Sequence, residues 1–330
     1  MTNDHIFLTG GTGFFGKALL RRWAGREQKG EEVPRVTLLS RDPNRFAAKN
    51  PELVAHQWLH LVQGDVCHPD SLPRGQAFTH VLHAATDSTN GPQLSPLQRY
   101  DQIVNGTRNI LELAVASGAK RFLLTSSGAV YGPQLPELEK IPETYNGSPD
   151  PLDPDSTYGL AKRVAEHLCV LYWKQYGLEP VIARCFAFVG QDLPLDAHFA
   201  IGNFIRDALT ETEIVVSGDG TPTRSYMDQR DLARWLTTLL DHGRAGQAYN
   251  VGSDEAITIR DLAHLVRKTL APEKPVRIAG RSTRSNFRNR YVPSIAKACA
   301  ELRLDLAHAM DDAIRATAGR LCSACETKSR

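Results

Sequence analysis

The chain has 330 residues, of which 42% are hydrophobic and 23% are charged, the balance of an ordinary globular protein. Its 39 basic and 37 acidic residues leave a formal net charge of +2, which gives no reason to expect a nucleic-acid partner. No apolar run approaches the ~20 residues that cross a bilayer, and the first ten residues lack the pattern of a signal peptide. We therefore expect a cytoplasmic protein with neither a membrane nor a nucleic acid as partner.

Six cysteines are present, and their spacing does not predict a metal site. Four are scattered through apolar or helical surroundings and are expected to be reduced thiols: Cys67, Cys169, Cys185 and Cys299. Cys322 and Cys325 form a CxxC near the end of the sequence, but no second ligand pair stands nearby. No metal is expected.

The first half of the chain alternates short apolar runs with amphipathic segments. Strands are predicted at 5–10, 35–41, 59–66, 80–85, 120–127 and 179–190. Helices are predicted at 16–26, 100–119 and 157–177. Apolar strands separated by helices indicate an α/β fold, a doubly wound parallel Rossmann sheet that binds its ligands beyond the carboxyl ends of the strands.

After residue 190 the pattern loosens into shorter elements. They are helices at 200–209, 257–271 and 295–304 and short strands at 213–218 and 276–280. The segment 247–253 is predicted to return to the main sheet as a strand. We therefore expect a Rossmann domain over residues 1–190, joined by 247–253, and a smaller C-terminal lobe over 191–330.

The stretch TGGTGFFG, residues 9–16, lies between the first predicted strand and the first helix. A turn this tight needs residues free to take positive φ, and a pyrophosphate must approach the backbone closely. The amide groups at the start of the helix then attract the anion. The predicted phosphate-binding residues are Gly10, Thr12, Gly13, Phe14, Phe15 and Gly16.

The residues after the second strand predict which nucleotide binds. NAD sites commonly place an acid there, whereas this strand ends in Ser40 and Arg41. An arginine at this point can bind a 2′-phosphate, so NADP(H) is favoured. NAD(H) remains the alternative, with Asp42 as the acid. Asp65 and Val66, at the end of the third strand, are expected to flank the adenine.

Tyr158 and Lys162 are four residues apart on a predicted helix and therefore share one face. The phenol of a free tyrosine has a pKa of about 10, and a nearby ammonium favours the phenolate. Tyr158 is then suited to exchange a proton with a substrate hydroxyl while hydride moves. Lys162 is expected to hold the nicotinamide ribose as well.

Together these motifs resemble the extended short-chain dehydrogenase/reductase family, the sugar-nucleotide epimerase/dehydratase group. The stretches that carry the resemblance cover nearly the whole chain. They are TGGTGFFG, HAA (83–85), NGTRNIL (105–111), SSGAVYG (126–132), YGLAK (158–162), ARCFAFVG (183–190), GNFI (202–205), GDGTPTRSYMDQRDLA (218–233) and YNVGS (249–253).

The resemblance implies roles for further residues near the cofactor. Ser127 would hydrogen-bond the reacting hydroxyl, with Ser126 as its structural neighbour. Asn105 would organise the sheet and a water near the site, and Ala84 and Ala85 would line the pyrophosphate.

In the lobe, which the resemblance makes a nucleotide-sugar-binding unit, Asn203 and Arg224 match positions that hold the base and the diphosphate. Arg290 resembles a second diphosphate arginine, in competition with Arg281, Arg284 and Arg288. Ala187 departs from the family, which often has asparagine there.

Gly128 and Ala129 indicate which reactions of this family the chain is not equipped for. Relatives that eliminate water across C5 and C6 resemble a form with Asp-Glu at these two positions, because elimination needs an acid and a base. The UDP-glucuronate decarboxylases resemble a form with an acid at the second position. Neither Gly128 nor Ala129 can act as one.

The function expected is therefore NADP(H)-dependent reduction of the C4 keto group of a nucleotide-activated deoxyhexulose of the CDP, dTDP or GDP type. Tyr158 would be the acid/base, with Ser127 and Lys162. The alternative is an NAD-dependent 4-epimerase of a UDP-sugar, and a second class is a non-catalytic NADP(H)-sensing regulator. The resemblance also suggests a homodimer through helices 100–118 and 157–176.

Overall fold

The structure, a computed structural model, describes residues 4–86, 94–195, 199–280 and 289–328, with side chains to Gly319. The strands are β1 (His5–Thr9), β2 (Arg35–Ser40), β3 (Leu59–Gln63), β4 (His80–His83), β5 (Arg121–Ser127), β6 (Glu179–Cys185), β7 (Phe188–Val189), β8 (Ile214–Val216), β9 (Thr223–Arg224), β10 (Met227–Asp228), β11 (Gln247–Val251), β12 (Ile257–Thr258), β13 (Val276–Ile278) and β14 (Arg290–Tyr291).

Ten α-helices lie within the described ranges. They are α1 (Phe14–Gln28), α2 (Pro43–Lys49), α3 (Pro51–Val54), α4 (Pro96–Ala116), α5 (Thr157–Tyr176), α6 (Ala200–Thr210), α7 (Gln229–His242), α8 (Ile259–Leu270), α9 (Ala296–Leu302) and α10 (Met310–Lys328).

Seven parallel strands form the central sheet in the order β3-β2-β1-β4-β5-β6-β11. This order confirms the predicted doubly wound Rossmann fold. Most residues of β1, β2, β4, β5 and β6 are buried because helices cover both faces of the sheet. One face packs on α1 and α7, and the other on α4 and α5. The predicted strand 247–253 is β11, which pairs in parallel with β6.

The predicted strand 179–190 is two strands rather than one. β6 ends at Cys185, and β7 then pairs with β10 in a separate two-stranded sheet. The chain changes direction at Phe186 and Ala187: the Phe186 amide donates to Val251, whereas the Ala187 carbonyl accepts from Met227. The chain thus changes its pairing partner from β11 to β10 at this point, and the continuous apolar run in the sequence does not reveal the change.

The sequence pattern did not predict α7, which follows β10 directly. Its buried face includes Leu232, Trp235, Leu236 and Leu239, and it packs with α1 beneath the sheet. The C-terminal lobe has its own core, contributed by α6, α8, α10 and the short strands β8 and β13. None of the described helices is long and apolar enough to cross a membrane.

His83 connects three elements at the centre of the fold. Its Nδ1 lies 2.8 Å from Thr9 Oγ1 on β1, and its Nε2 lies 3.3 Å from Thr107 Oγ1 on α4. The side chain is buried, and this burial lowers its pKa from 6.5 to about 3. The imidazole is therefore neutral in the folded protein at all but strongly acid pH.

This burial predicts a specific loss of stability in acid. Between pH 6.5 and 5 the unfolded chain protonates His83 and the folded protein does not, so the group lowers the free energy of unfolding by about 1.5 kcal/mol over that interval. His83→Asn should therefore flatten the pH dependence of urea unfolding by about that amount. His264→Asn, an exposed histidine on α8, is the control. Equal pH slopes in wild type and His83→Asn would contradict the prediction.

Candidate active site

The glycine-rich turn lies between β1 and α1. Gly10 has φ +71°, and a Cβ there would overlap the carbonyl of Ala84, which directly follows β4. A Cβ at Gly16 would overlap the backbone of Gly11, so α1 can approach the turn this closely only with glycine at 16. No side chain caps α1 at Gly13, which leaves amide groups of its first turn available to an anion. The turn therefore fits a dinucleotide diphosphate.

A cleft of about 840 Å³ opens above this turn. Most predicted cofactor residues line it: Gly10, Thr12, Gly13, Phe14, Phe15, Ser40, Arg41, Asp65, Val66, Ala84, Ala85, Ser126, Tyr158 and Lys162. Gly16 lies behind the turn and supports it. The cleft follows the carboxyl ends of the sheet strands, where a doubly wound fold binds its ligands.

The end of the cleft at β2 presents a hydroxyl and a guanidinium. Ser40 and Arg41 line it, and the Ser40 hydroxyl accepts a hydrogen bond from the Asp42 amide. The Asp42 carboxylate accepts the Arg45 amide and so caps α2. Asp65 lines the cleft on the neighbouring strand end, with its Oδ1 accepting the Cys67 amide at 2.9 Å.

Lys162 is buried at the floor of the cleft, one turn after Tyr158 on α5. Its ammonium donates to the Thr125 carbonyl at 2.8 Å and to the Thr86 hydroxyl at 2.7 Å. Its Nζ lies 5.9 Å from the centroid of the Tyr158 ring. Burial lowers the pKa of Lys162 to about 8, so the group remains mostly charged at neutral pH.

Ser127, at the end of β5, lines the same cleft as Tyr158 and Lys162. Its hydroxyl oxygen accepts a hydrogen bond from the Ala129 amide nitrogen, 3.1 Å away, and this bond orients the side chain at the strand end. Ser126 makes a different contact, because its hydroxyl donates to Glu166 at 2.6 Å. Glu166 in turn binds both Nε and Nη2 of Arg184. The two serines are therefore held by separate partners.

Gly128 leaves room for two aromatic side chains. A Cβ at Gly128 would lie 2.5 Å from the Tyr291 hydroxyl and 2.7 Å from the Phe186 ring. These rings pack together with centroids 4.5 Å apart, and both line the cleft. The space beside Ser127 is therefore filled by aromatic groups rather than by a carboxylate.

The structure does not bring every predicted residue to the cleft. Asn105 is exposed on α4 and is absent from the described lining, because it is rotated about 100° from Gly106, which faces Val66. Gln102, one turn before Gly106, lines the cleft instead.

Of the predicted substrate residues, only Arg224 lies among the described lining. Asn203 is on α6, where its Oδ1 accepts from Arg206 at 3.4 Å. Arg290 points away and donates to the Glu139 carbonyl at 2.7 Å, whereas the next residue, Tyr291, faces the cleft. The side chains of neighbouring residues on a strand point to opposite sides, which explains why Tyr291, and not Arg290, lines the cleft. Arg281, Arg284 and Arg288 lie outside the described residues, as do the side chains of Cys322 and Cys325.

Several residues that line the cleft were not predicted from the sequence. They include Thr86, Arg99, Gln102, Phe186, Tyr226 and Tyr291. Thr86 directly follows the HAA motif, so its position in the sequence could have identified it as a cleft residue. Arg99 and Gln102 share with Gly106 and Asn109 one face of α4, a spacing that the sequence shows. Tyr226 and Tyr291 arrive from the C-terminal lobe, and no sequence pattern shows that they meet the sheet.

The fold and the glycine-rich turn place the protein in the class of Rossmann proteins whose cleft fits a dinucleotide. The model of the NAD dependent epimerase/dehydratase family matches residues 6–252. The chain belongs to this family, which confirms the resemblance inferred from its motifs.

Curated relatives include two proteins of Arabidopsis thaliana. UDP-glucuronic acid decarboxylase 1 is 32% identical over 300 residues, which are 90% of this chain but 65% of that protein. UDP-glucuronic acid decarboxylase 6 is 31% identical over 90% of this chain and 82% of its own length. This chain thus spans less than two thirds of the first relative.

Solved structures share the fold over almost the whole chain. UDP-glucose 4-epimerase of Thermotoga maritima, with UDP-glucose, has a TM-score of 0.81 at 20% identity and covers 97% of this chain and 99% of its own. RMD from Pseudomonas aeruginosa, complexed with NADPH, has a TM-score of 0.79 at 25% identity, with 98% and 100% covered.

The close approach at Gly16 predicts a large effect of one methyl group. Gly16→Ala should destabilise the protein by about 1–3 kcal/mol and weaken dinucleotide binding, because the new Cβ displaces the turn. Gly25→Ala, on the same helix, is the matched control: nothing lies within 4 Å of its Cβ, so it should stabilise the protein by up to about 1 kcal/mol. Thermal unfolding and cofactor titration measure both effects, and similar behaviour of the two variants would contradict the steric account.

Proposed function

We propose that the protein is an NADP(H)-dependent reductase of the C4 keto group of a nucleotide-activated deoxyhexulose of the CDP, dTDP or GDP type. The main support is the composition of the cleft: Tyr158, Lys162 and Ser127 line it together. The single acidic residue in its described lining is Asp65, on the strand end next to Ser40 and Arg41. Transfer of hydride to one carbon needs a proton donor but no additional carboxylate, so this set of groups is sufficient.

In this proposal the phenol of Tyr158 delivers a proton to the carbonyl oxygen of the substrate. The Ser127 hydroxyl donates a hydrogen bond to the same oxygen and so holds the carbonyl in place. Bound NADPH supplies the hydride. The Lys162 ammonium, fixed by Thr125 and Thr86, stabilises the phenolate that remains on Tyr158 after proton transfer.

NADP(H) is the proposed cofactor because of the groups beside β2. Ser40 and Arg41 both line the cleft there, and their hydroxyl and guanidinium suit a 2′-phosphate. Asp42, the acid that could instead bind the ribose hydroxyls, is outside the described lining of the cleft and accepts a backbone amide as the cap of α2. Solved structures that share the fold include one complexed with NADPH and others with NAD, so the choice rests on Ser40 and Arg41.

The proposal differs from the decarboxylase activity in the names of the curated relatives. Those enzymes resemble a form with an acid at the position of Ala129, and Ala129 is 2% exposed. A carboxylate at Gly128 would collide with Tyr291 and Phe186. Both features favour hydride transfer without loss of water or carbon dioxide.

An NAD-dependent 4-epimerase of a UDP-sugar is the second candidate. The same three side chains serve an enzyme that oxidises C4 and then reduces it from the other face, so the cleft favours this reaction as well. A non-catalytic NADP(H)-sensing regulator is less consistent with the chain, because it retains Tyr158, Lys162 and Ser127 in one cleft.

We also propose a homodimer through α4 and α5. These helices pack side by side and carry large apolar side chains in contact with solvent, including Leu97, Tyr100, Leu171 and Tyr176. Such a surface is typical of a subunit interface.

An assay with purified protein separates these candidates. A reductase should oxidise one NADPH for each 4-keto sugar nucleotide consumed, seen as a loss of absorbance at ~340 nm. Tyr158→Phe should lower turnover by about 10²–10⁴-fold with little change in cofactor affinity, whereas Tyr176→Phe, exposed on the same helix, should have no effect. Interconversion of UDP-sugars without net oxidation would favour the epimerase, and carbon dioxide release from UDP-glucuronate would overturn the reductase.

The choice of cofactor has its own test. Arg41→Asp should weaken NADPH binding by about 10–100-fold relative to NADH, because a carboxylate repels the 2′-phosphate and binds the free ribose hydroxyls. Arg45→Asp makes the same charge change on α2, outside the described lining of the cleft, and should have a smaller effect. An unchanged ratio of the two dissociation constants in Arg41→Asp would show that the 2′-position is read elsewhere.

A further inference from the structure

Arg99, on the first turn of α4, lines the cleft but has no assigned partner in it. Its Nε is buried, and no hydrogen bond joins it to another group among the described residues. The Oε1 of Gln102, one turn further along, is also buried without a hydrogen bond. Folded proteins rarely leave buried polar atoms unpaired, because the loss of water is then uncompensated. The pair therefore points to a ligand in the cleft as the missing partner.

The position of α4 indicates which half of the cleft this ligand occupies. Gly106 and Asn109 continue the face of Arg99 and Gln102, and Asn109 donates to the Val66 carbonyl at 2.8 Å. A Cβ at Gly106 would lie 3.0 Å from Val66. Val66 follows β3, the strand beside β2, and lines the cleft there, whereas the opposite half is lined from the C-terminal lobe by residues such as Arg224 and Tyr291. The face of α4 that carries Arg99 therefore borders the dinucleotide half.

The positions of the other cations in the cleft indicate which group of the ligand Arg99 binds. Four cationic side chains line it within the described residues: Arg41, Arg99, Lys162 and Arg224. Arg41 lies at the β2 end, Lys162 is bonded to Thr125 and Thr86, and Arg224 belongs to the lobe. The glycine-rich turn itself offers backbone amides but no cation. Arg99 is thus the cation placed to neutralise a diphosphate that rests on that turn.

We propose that Arg99 binds the diphosphate of the dinucleotide from the α4 side, facing the glycine-rich turn across the cleft. Gln102 supports this assignment, because its unpaired atom is a hydrogen-bond acceptor and suits a ribose hydroxyl next to the diphosphate. Arg99 would then contribute to retention of any nicotinamide dinucleotide, whether or not it carries a 2′-phosphate. The inference rests on the cofactor class of the proposed function but not on the reaction at C4.

Binding measurements on the intact chain test this role without turnover. Arg99→Gln should raise the dissociation constants of NADPH, NADH and ADP-ribose by a similar factor, about 10–100-fold, because all three contain the diphosphate. It should also reduce the dependence of binding on salt. Arg99→Lys should lose less affinity, because it keeps the charge. Arg108→Gln, exposed on the same helix, should bind all three as wild type does.

Each other outcome overturns the proposal. Unchanged dissociation constants in Arg99→Gln would remove Arg99 from the cofactor site, and loss of NADPH affinity alone would place it at the 2′-phosphate. Normal cofactor binding with a raised KM for a sugar nucleotide would place it at the substrate. Circular dichroism confirms that each variant folds. If the wild-type protein binds dinucleotides but reduces no keto sugar, the reductase proposal fails while the role of Arg99 stands.

Discussion

The buried ammonium of Lys162 is the interaction on which the candidate site depends. Its hydrogen bonds to Thr125 on β5 and to Thr86 after β4 connect α5 to the ends of two adjacent strands. Burial of a charge is unfavourable unless hydrogen bonds compensate, so the ammonium adopts one position. Because Tyr158 lies one turn earlier on the same helix, this anchor also limits where α5 can place the phenol. One anchored cation thus holds the helix that carries Tyr158 against β5, the strand that ends at Ser127.

A second buried hydrogen-bond network also connects α5 to the sheet. Ser126, Glu166 and Arg184 connect β5, α5 and β6, and the network continues from Arg184 through Tyr131 to Asn250 on β11. Every connection is a hydrogen bond between side chains that are buried or largely so. Such a network is costly to leave half satisfied, which favours one arrangement of the four elements. The strand that returns from the lobe is therefore tied to the helix that carries Tyr158.

The sequence predicted the family and fold because both depend on local patterns. Apolar runs separated by helices specify a parallel sheet, and the glycine spacing at 9–16 specifies a turn that only a small residue permits. The sequence did not reveal α7 or the break between β6 and β7. Those features arise from partners distant in sequence: α1 beneath the sheet for α7, and Met227 and Val251 at the break.

For the site residues as well, local motifs predicted some positions, whereas the tertiary structure decided others. The roles of Tyr158, Lys162 and Ser127 stay predictions, although the structure brings their side chains to one cleft. Asn105 and Arg290 were chosen by motif, yet the cleft contains Gln102 and Tyr291, because the rotation of a helix and the alternation of a strand decide which neighbour faces inward.

The sequence alone thus determined the chemistry available and the fold that carries it, since these follow from residue type and short-range spacing. Only the tertiary structure decided which side chains meet, because the cleft is assembled from strand ends, helix faces and lobe strands that lie up to 282 residues apart, as Thr9 and Tyr291 do (291 − 9). No local pattern encodes contacts over that separation.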